Sequence, residues 1–265
     1  MMARPYAFPS ARRTGLRAAS CTALLAATAL AAPLARADDA LASPRAIGVA
    51  VASLQPPYQG ADRRTLLLPV LRYDNRWLSV AGPQLDLKLW GEPSLYLRAR
   101  LRYEPGLGYE ASDAPVLAGM HDRRAGLWAG PVVGGALGEV QWQLEALADA
   151  GGANNGRQLV ASLRRSWRLG SYLLTPRVEG GWVDADYAAY YMGVRADEAA
   201  PGRAAYAPGS SSFTRAGVRL ERRIGRRQSV GLDLAATRLG GALRDSPIVD
   251  DRSLTTLSLG YLVDF

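Results

Sequence analysis

The sequence predicts an all-β fold: an antiparallel transmembrane β-barrel of about twelve strands, preceded by a cleaved signal peptide. Three observations predict it. The amino terminus has the layout of an export signal. Period-two hydrophobic runs recur through the rest of the chain. The connections between those runs alternate between long and short. Each is taken in turn, because only their combination separates a membrane barrel from a soluble β-sandwich.

Arg4, Arg12, Arg13 and Arg17 form a basic leader, residues 18–34 are rich in Ala and Leu, and Ala35-Arg36-Ala37 places small residues where a signal peptidase reads. Residues 1–37 are therefore expected to be a signal peptide and 38–265 the barrel. A retained anchor is disfavoured by an Ala-heavy core interrupted at Pro33. Cys21 sits at the start of the apolar core, not just after it as a lipidated cysteine would. Removing residues 1–37 takes away five arginines, the four above and Arg36, and no acid, so the formal charge falls from +8 to +3. The basic pI thus belongs largely to the leader and carries no argument for nucleic acid. The only cysteine goes with it, so disulfides and thiolate metal sites are not expected in the remainder.

The strands follow from side-chain alternation, since a period of two puts every second residue on one face. Leu85, Leu87 and Leu89 alternate with Asp86 and Lys88. Leu95, Leu97, Ala99, Leu101 and Tyr103 alternate with Tyr96, Arg98, Arg100 and Arg102. Val140, Trp142, Leu144 and Ala146 oppose Gln141, Gln143 and Glu145; Leu159, Ala161 and Leu163 oppose Gln158, Ser162 and Arg164. Val230, Leu232, Leu234 and Ala236 oppose Ser229, Gly231, Asp233 and Thr237. Each run has about ten residues, the length a tilted strand needs to cross a bilayer.

The spacing predicts long connections at 55–64, 105–124, 150–156, 184–210 and 240–253. Short turns fall at 74–76, 91–93, 137–138, 168–171 and 223–227. One connection, Gly82-Pro83, is short where a long one is due. Long outer loops and tight periplasmic turns are the pattern of bacterial membrane barrels, with the longest loop, 184–210, expected to be exposed outside. A soluble sandwich shares the strand period, but its polar faces would meet water instead of a lumen. In hydrocarbon the backbone must pair on both sides, which requires closure.

The final strand runs Leu257, Leu259, Tyr261, Val263, Phe265 on one face, with Ser258, Gly260, Leu262 and Asp264 between them. It resembles the closing strand of bacterial outer-membrane barrels, in which Tyr261, Val263 and Phe265 would form the assembly signal. Three further stretches are similar to the MipA/OmpV family of Gram-negative outer-membrane proteins. They are Pro57-Tyr58-Gln59-Gly60-Ala61-Asp62 followed by Pro69-Val70-Leu71-Arg72-Tyr73, then Tyr190-Tyr191-Met192-Gly193-Val194, then Leu239 through Val249 with its Ser246-Pro247-Ile248-Val249 element. The second departs from the family in having Met192 inserted after the aromatic pair. The resemblance implies an outer-membrane location among lipid and lipopolysaccharide and insertion by the barrel assembly machinery; no cofactor is expected. It also implies a scaffolding role, the named member being thought to join a lytic transglycosylase to a penicillin-binding protein. It carries no partner-contact residue to this chain.

Chemistry finds little purchase. His121, the only histidine, lies beside Asp122 in a predicted loop, with Ser112 the nearest serine in sequence; a solvated loop histidine is the better reading, and no catalytic residue is assigned. Asp184, Asp186, Asp197 and Glu198 lack the order of a calcium loop, so no metal is assigned. Gly134-Gly135 and Gly180-Gly181 precede no helix and are read as packing glycines. The informative polar feature is a charge stripe. If the alternating leucines face lipid, then Arg98, Arg100, Arg102, Arg164, Arg177 and Arg219 face the lumen, with Asp86, Glu145, Glu179, Glu221 and Asp233 to balance them. The favoured reading is a lumen braced by ion pairs. The alternative is a narrow anion-preferring, porin-like channel lined by guanidinium groups.

Overall fold

The computed structural model describes residues 45–92, 94–250 and 253–265. The expected signal segment lies outside the described residues. The wall is built of β1 (Arg45–Leu54), β2 (Arg64–Asp74), β3 (Leu78–Ala81), β4 (Gln84–Glu92), β5 (Leu95–Glu104) and β6 (Gly126–Leu137). It continues with β7 (Val140–Asp149), β8 (Arg157–Arg165, resumed at Trp167–Leu169 after a break at Ser166), β9 (Tyr172–Val183), β10 (Ser211–Ile224), β11 (Gln228–Leu239) and β12 (Leu254–Asp264). Both segments of β8 pair with β9, which makes them one strand and the total twelve.

Every neighbouring pair is antiparallel and consecutive in sequence, and β12 returns to β1 in a ladder from Ala46↔Asp264 to Leu54↔Thr256. The sheet is therefore a closed barrel. Closure removes the free edges that hydrocarbon does not tolerate. The one short outer connection has a structural counterpart: β3 is only Leu78–Ala81, so the Gly82-Pro83 turn lies well below the other loops.

Alternation resolves into an outer and an inner face. Ile47, Val49 and Val51 of β1, Leu232 and Leu234 of β11, and Leu257, Leu259 and Tyr261 of β12 are exposed, while their even or odd counterparts face inward. Exposed aromatics gather at the turn end, among them Trp77, Trp90, Trp167, Tyr172 and Phe265. Such a belt is where amphipathic rings settle at a membrane interface. Arginines stand over several rim rings: Arg76 over Trp77 at 4.8 Å, Arg165 over Trp167 at 5.2 Å and Arg222 over Tyr172 at 5.1 Å. The guanidinium then sits at headgroup level while the ring faces the chain region.

The long connections do not hang free. Residues 184–210 are exposed over more than half their length, and they also supply α1 (Ala185–Met192) and a 3₁₀ turn at Ala196–Glu198, with Tyr187, Ala188, Tyr191, Met192 and Val194 buried. The sequence shows why: Asp184 caps α1 by accepting the Tyr187 N–H at 3.0 Å, and a Tyr-Ala-Ala-Tyr-Tyr-Met run gives the helix an apolar side. The loop containing residues 105–124 likewise folds inward, burying Ala114, Leu117 and Met120, and α2 (Gly241–Arg244) adds Leu243. Loop length alone hid this packing.

Candidate functional site

Two constellations occupy the barrel: a charged brace across the lumen and an aromatic cap at the loop end. The brace centres on Arg100 of β5, whose side chain is 4% exposed. Its Nε and Nη2 donate to the two carboxylate oxygens of Asp86 on β4, each at 2.8 Å, and Nη1 donates to Glu145 on β7 at 2.6 Å. The guanidinium fork thereby meets one carboxylate in two places and a second across β6. Arg102 reaches the other Glu145 oxygen at 2.7 Å, and Arg98 lies 3.5 Å from Asp86.

A second cluster stands on the opposite strands. Arg177 of β9 makes two bonds to Asp233 of β11, at 2.7 and 2.8 Å, and lies 3.6 Å from Glu179. Arg219 donates to Glu221 at 2.9 Å, and Arg164 donates to Gln141 at 2.6 Å. Three members were not singled out from sequence. Arg72 of β2 reaches Glu221 at 3.3 Å, Arg215 reaches Glu179 at 3.0 Å, and Glu104 lies 3.0 Å from Arg102. Parity finds Arg215 and Glu104, since each shares the inward face of its strand with a named residue; Arg72 follows only apolar residues on the inward face of β2.

The inward glycines are packing positions. A Cβ at Gly181 would fall 2.2 Å from the Phe213 ring, and one at Gly134 would fall 2.3 Å from the Tyr96 hydroxyl. Aromatic rings therefore lie directly on bare backbone across adjacent strands, filling lumen that a side chain would contest.

The cap is a core of aromatic residues. Tyr58 stacks edge-on to Tyr109 at 4.7 Å and donates from its hydroxyl to the carbonyls of Leu107 and Tyr191. Tyr187 packs between Trp128 and Tyr191, at 5.3 and 5.0 Å. Burial holds the phenols of Tyr58, Tyr187 and Tyr191 well above their ordinary range and pushes Tyr109 up to about 12, so all four stay neutral.

One buried carboxylate locks the cap. Glu198 accepts both Arg123 Nη2 bonds (2.7 and 2.9 Å), the backbone N–H of Arg195 and of His121 (each 3.0 Å), and the His121 ring at 2.9 Å. Burial alone would raise its pKa, but these donors outweigh it and hold the carboxyl at about 2. His121 thus has a carboxylate partner and an exposed ring, with no serine among its hydrogen-bond partners in the described residues. Asp184 serves as a helix cap and Glu198 as an arginine partner. No three of His, Cys, Asp or Glu gather in a metal-holding group among the described residues.

A closed twelve-stranded barrel, apolar outside, ion-paired inside, with an aromatic belt at its turn end, is a barrel of the bacterial outer membrane. The comparisons narrow this further. The family model described as MltA-interacting protein MipA matches residues 47–265, and the chain belongs to that family. Outer membrane protein OmpV of Vibrio cholerae is 30% identical over 145 residues, covering 55% of this chain and 56% of that protein. Outer membrane protein Omp26La of Vibrio anguillarum is 29% identical over 145 residues, with the same coverage. The matched stretch thus spans a little over half the length of these relatives. Among solved structures, an outer membrane channel from Pseudomonas putida F1 is similar, with 14% identity, a TM-score of 0.44 and coverage of 85% of this chain and 97% of that one. The NanC porin gives 7% identity, a TM-score of 0.43 and coverage of 83% and 100%. The chain is an outer-membrane protein.

Proposed function

We propose that this protein is a non-enzymatic, structural component of the cell envelope that scaffolds a peptidoglycan hydrolase and a peptidoglycan synthase. The observation that carries the reading is the Arg100 brace. Its positive charge is spent on Asp86 and Glu145 across the lumen, leaving no free guanidinium column at that level to draw anions through. The capped outer end points the same way, and the family's description as MltA-interacting names the hydrolase side of the scaffold. The partners are then a lytic transglycosylase and a penicillin-binding protein, met at the turn end in the periplasm. In the same reading, Tyr261 and Val263 of β12 and Phe265 just beyond it are what the barrel assembly machinery reads.

The test is co-purification. Detergent-solubilised barrel immobilised on beads should retain a lytic transglycosylase of the MltA type and, through it or directly, a bifunctional penicillin-binding protein. Retention of neither at micromolar concentrations would remove the scaffold reading. Planar-bilayer recording addresses the channel alternative: a sustained anion-selective current, abolished by Arg100→Glu, would replace the scaffold with a pore.

A further inference from the structure

The barrel wall has an opening in its side. The β2–β3 ladder covers only Arg72, Tyr73 and Asp74, with one more bond from the Gly82 N–H to the Leu71 carbonyl. β4 begins at Gln84 opposite Arg102 of β5, and the Tyr103 N–H donates to the Pro83 carbonyl. Beyond the Gly82-Pro83 turn, residues 64–70 of β2 pair with β1 alone among the described residues, and the next described wall strand is β5, with Tyr103 and Glu104. Neither β3 nor β4 reaches that level; below the turn they hold β2 and β5 three spacings apart, about 14 Å between axes. It is roofed by the segment after β5: Arg64 donates to the Gly108 carbonyl at 2.6 Å and pairs with Asp113, and Gly106 lies against Leu54. The opening is therefore a window, bounded on all four sides.

The window's edge is built against strand addition. The Leu71 carbonyl bonds toward β3, so by alternation the backbone groups of residues 65, 67 and 69 point into the gap. Residue 69 is Pro, with no N–H to offer, in the middle of that edge. Proline in this place is a means of refusing an incoming strand.

Its side chains suit hydrocarbon instead. Between Arg64 and Arg72, β2 points three successive apolar residues, Leu66, Leu68 and Val70, inward, half-buried and outside the aromatic core and the residues packed on it. On the lipid side the same stretch carries Leu67, 71% exposed, and Leu71. Apolar side chains thus flank this edge on both its bilayer and its lumen side, with the backbone groups of Thr65 and Leu67 between them. The cap of Tyr58, Tyr109, Tyr187 and Tyr191 closes the loop end above it.

We propose that this window is a lateral port for an acyl chain of outer-leaflet lipid, which enters between β2 and β5 and lies along Leu66, Leu68 and Val70. The proposal stands apart from the scaffold reading, since it concerns the lipid side of the barrel and no protein partner.

The experiment reconstitutes the full barrel in vesicles of phosphatidylcholine carrying a diazirine midway along one acyl chain, irradiates them, and maps adducts by mass spectrometry. Adducts are expected on lumen-facing Leu66, Leu68 and Val70 as well as on lipid-facing Leu67, and not on lumen-facing Ser229 and Ser258, which lie behind complete wall. Leu68→Arg should lose the lumen adducts while keeping those on Leu67, with heat-modifiable gel migration reporting that the barrel is folded. Leu68→Gln repeats the test should the arginine variant fail to assemble. Adducts confined to outward residues of the folded wild type overturn the port. So does rapid disulfide-linked dimerisation of Leu67→Cys in a chain whose only other cysteine is Cys21, which would make the edge an interface between copies.

Discussion

Replacing Arg100 by Ala tests the brace most directly, because it removes three hydrogen bonds to carboxylates and leaves both carboxylates in place. Asp86, 2% exposed at its side chain, loses both 2.8 Å bonds and keeps Arg98 at 3.5 Å and a bond from Gln84 Nε2 at 3.3 Å. Glu145 loses its 2.6 Å bond but retains Arg102 at 2.7 Å, together with a short bond from Gln143. The damage therefore concentrates on Asp86. Breaking a buried pair by removing one partner costs about 3–5 kcal/mol, most of it the uncompensated charge left behind. The expected loss for Arg100→Ala is in that range, a factor of roughly a hundred to several thousand in the folding equilibrium at ~1.4 kcal/mol per decade. Asp86→Asn in the same background should recover part of it, since the stranded group no longer carries charge. The assay is urea unfolding of the barrel in lipid vesicles, followed by tryptophan fluorescence and heat-modifiable migration, for the two single variants and the double. A loss below about 1 kcal/mol for Arg100→Ala, the range of an exposed ion pair, would refute a load on this bridge. Strict additivity of the two substitutions would refute it equally, because residues that share a bond must couple.

Three further outcomes follow from other parts of the molecule. Leu232→Arg on the outward face of β11 should cost about 2–4 kcal/mol in lipid-vesicle unfolding if it lies near the midplane. A cost near zero would mean that this face does not meet hydrocarbon. Glu198, with its carboxyl held at about 2 against an ordinary value of 4.5, contributes stability to the cap above pH ~4.5 that is lost as pH falls toward ~2. Backbone N–H groups of His121 and Arg195 should accordingly exchange faster at pH 2.5 than at pH 7 after correction for intrinsic rates; Glu198→Gln should exchange fast at both, and equal protection at both pH values in the wild type would remove Glu198 from the lock. Gly181→Leu, whose Cβ alone would fall 2.2 Å from the Phe213 ring, should destabilise the barrel, and Phe213→Ala in the same chain should relieve it; the absence of any relief would show that the ring is not what forbids the side chain.

What could be read from sequence was whatever obeys a period. The wall strands, their outward leucines and the inward position of Arg98, Arg100 and Arg102 all follow from alternation, because a barrel side chain has only two directions to point. The carboxylate partners follow almost as directly. Asp86 and Glu145 share the inward face of strands near β5, and buried guanidinium groups need acids within reach. Which acid meets which arginine depends on register, and register is set by turn lengths and the bulge between Lys88 and Trp90 in β4, which no single strand reveals. Arg72 was overlooked for a related reason: Leu66, Leu68 and Val70 precede it on the inward face, so β2 reads as a strand greasy on both sides and its polar end is unremarked.

The cap and the window share the complementary explanation. The cap is assembled from Tyr58, Tyr109, Tyr187, Leu243 and Ile248, five residues from four connections that have no common period and meet only because the barrel brings its loops to one rim. Their aromatic content was visible, but aromatic residues in loops read equally well as interface or ligand contacts. The window is the converse case, created by the shortness of β3. Four residues between two turns look like a misplaced loop in an otherwise regular pattern, and the irregularity at Gly82-Pro83 marks the place where the wall drops. Departures from the alternation of long and short connections therefore carry information in barrels of this kind. Where a strand is too short to span, either its neighbours lean together or the wall opens, and the edge of β2 that no described strand shares, with Pro69 in it, is the signature of the second.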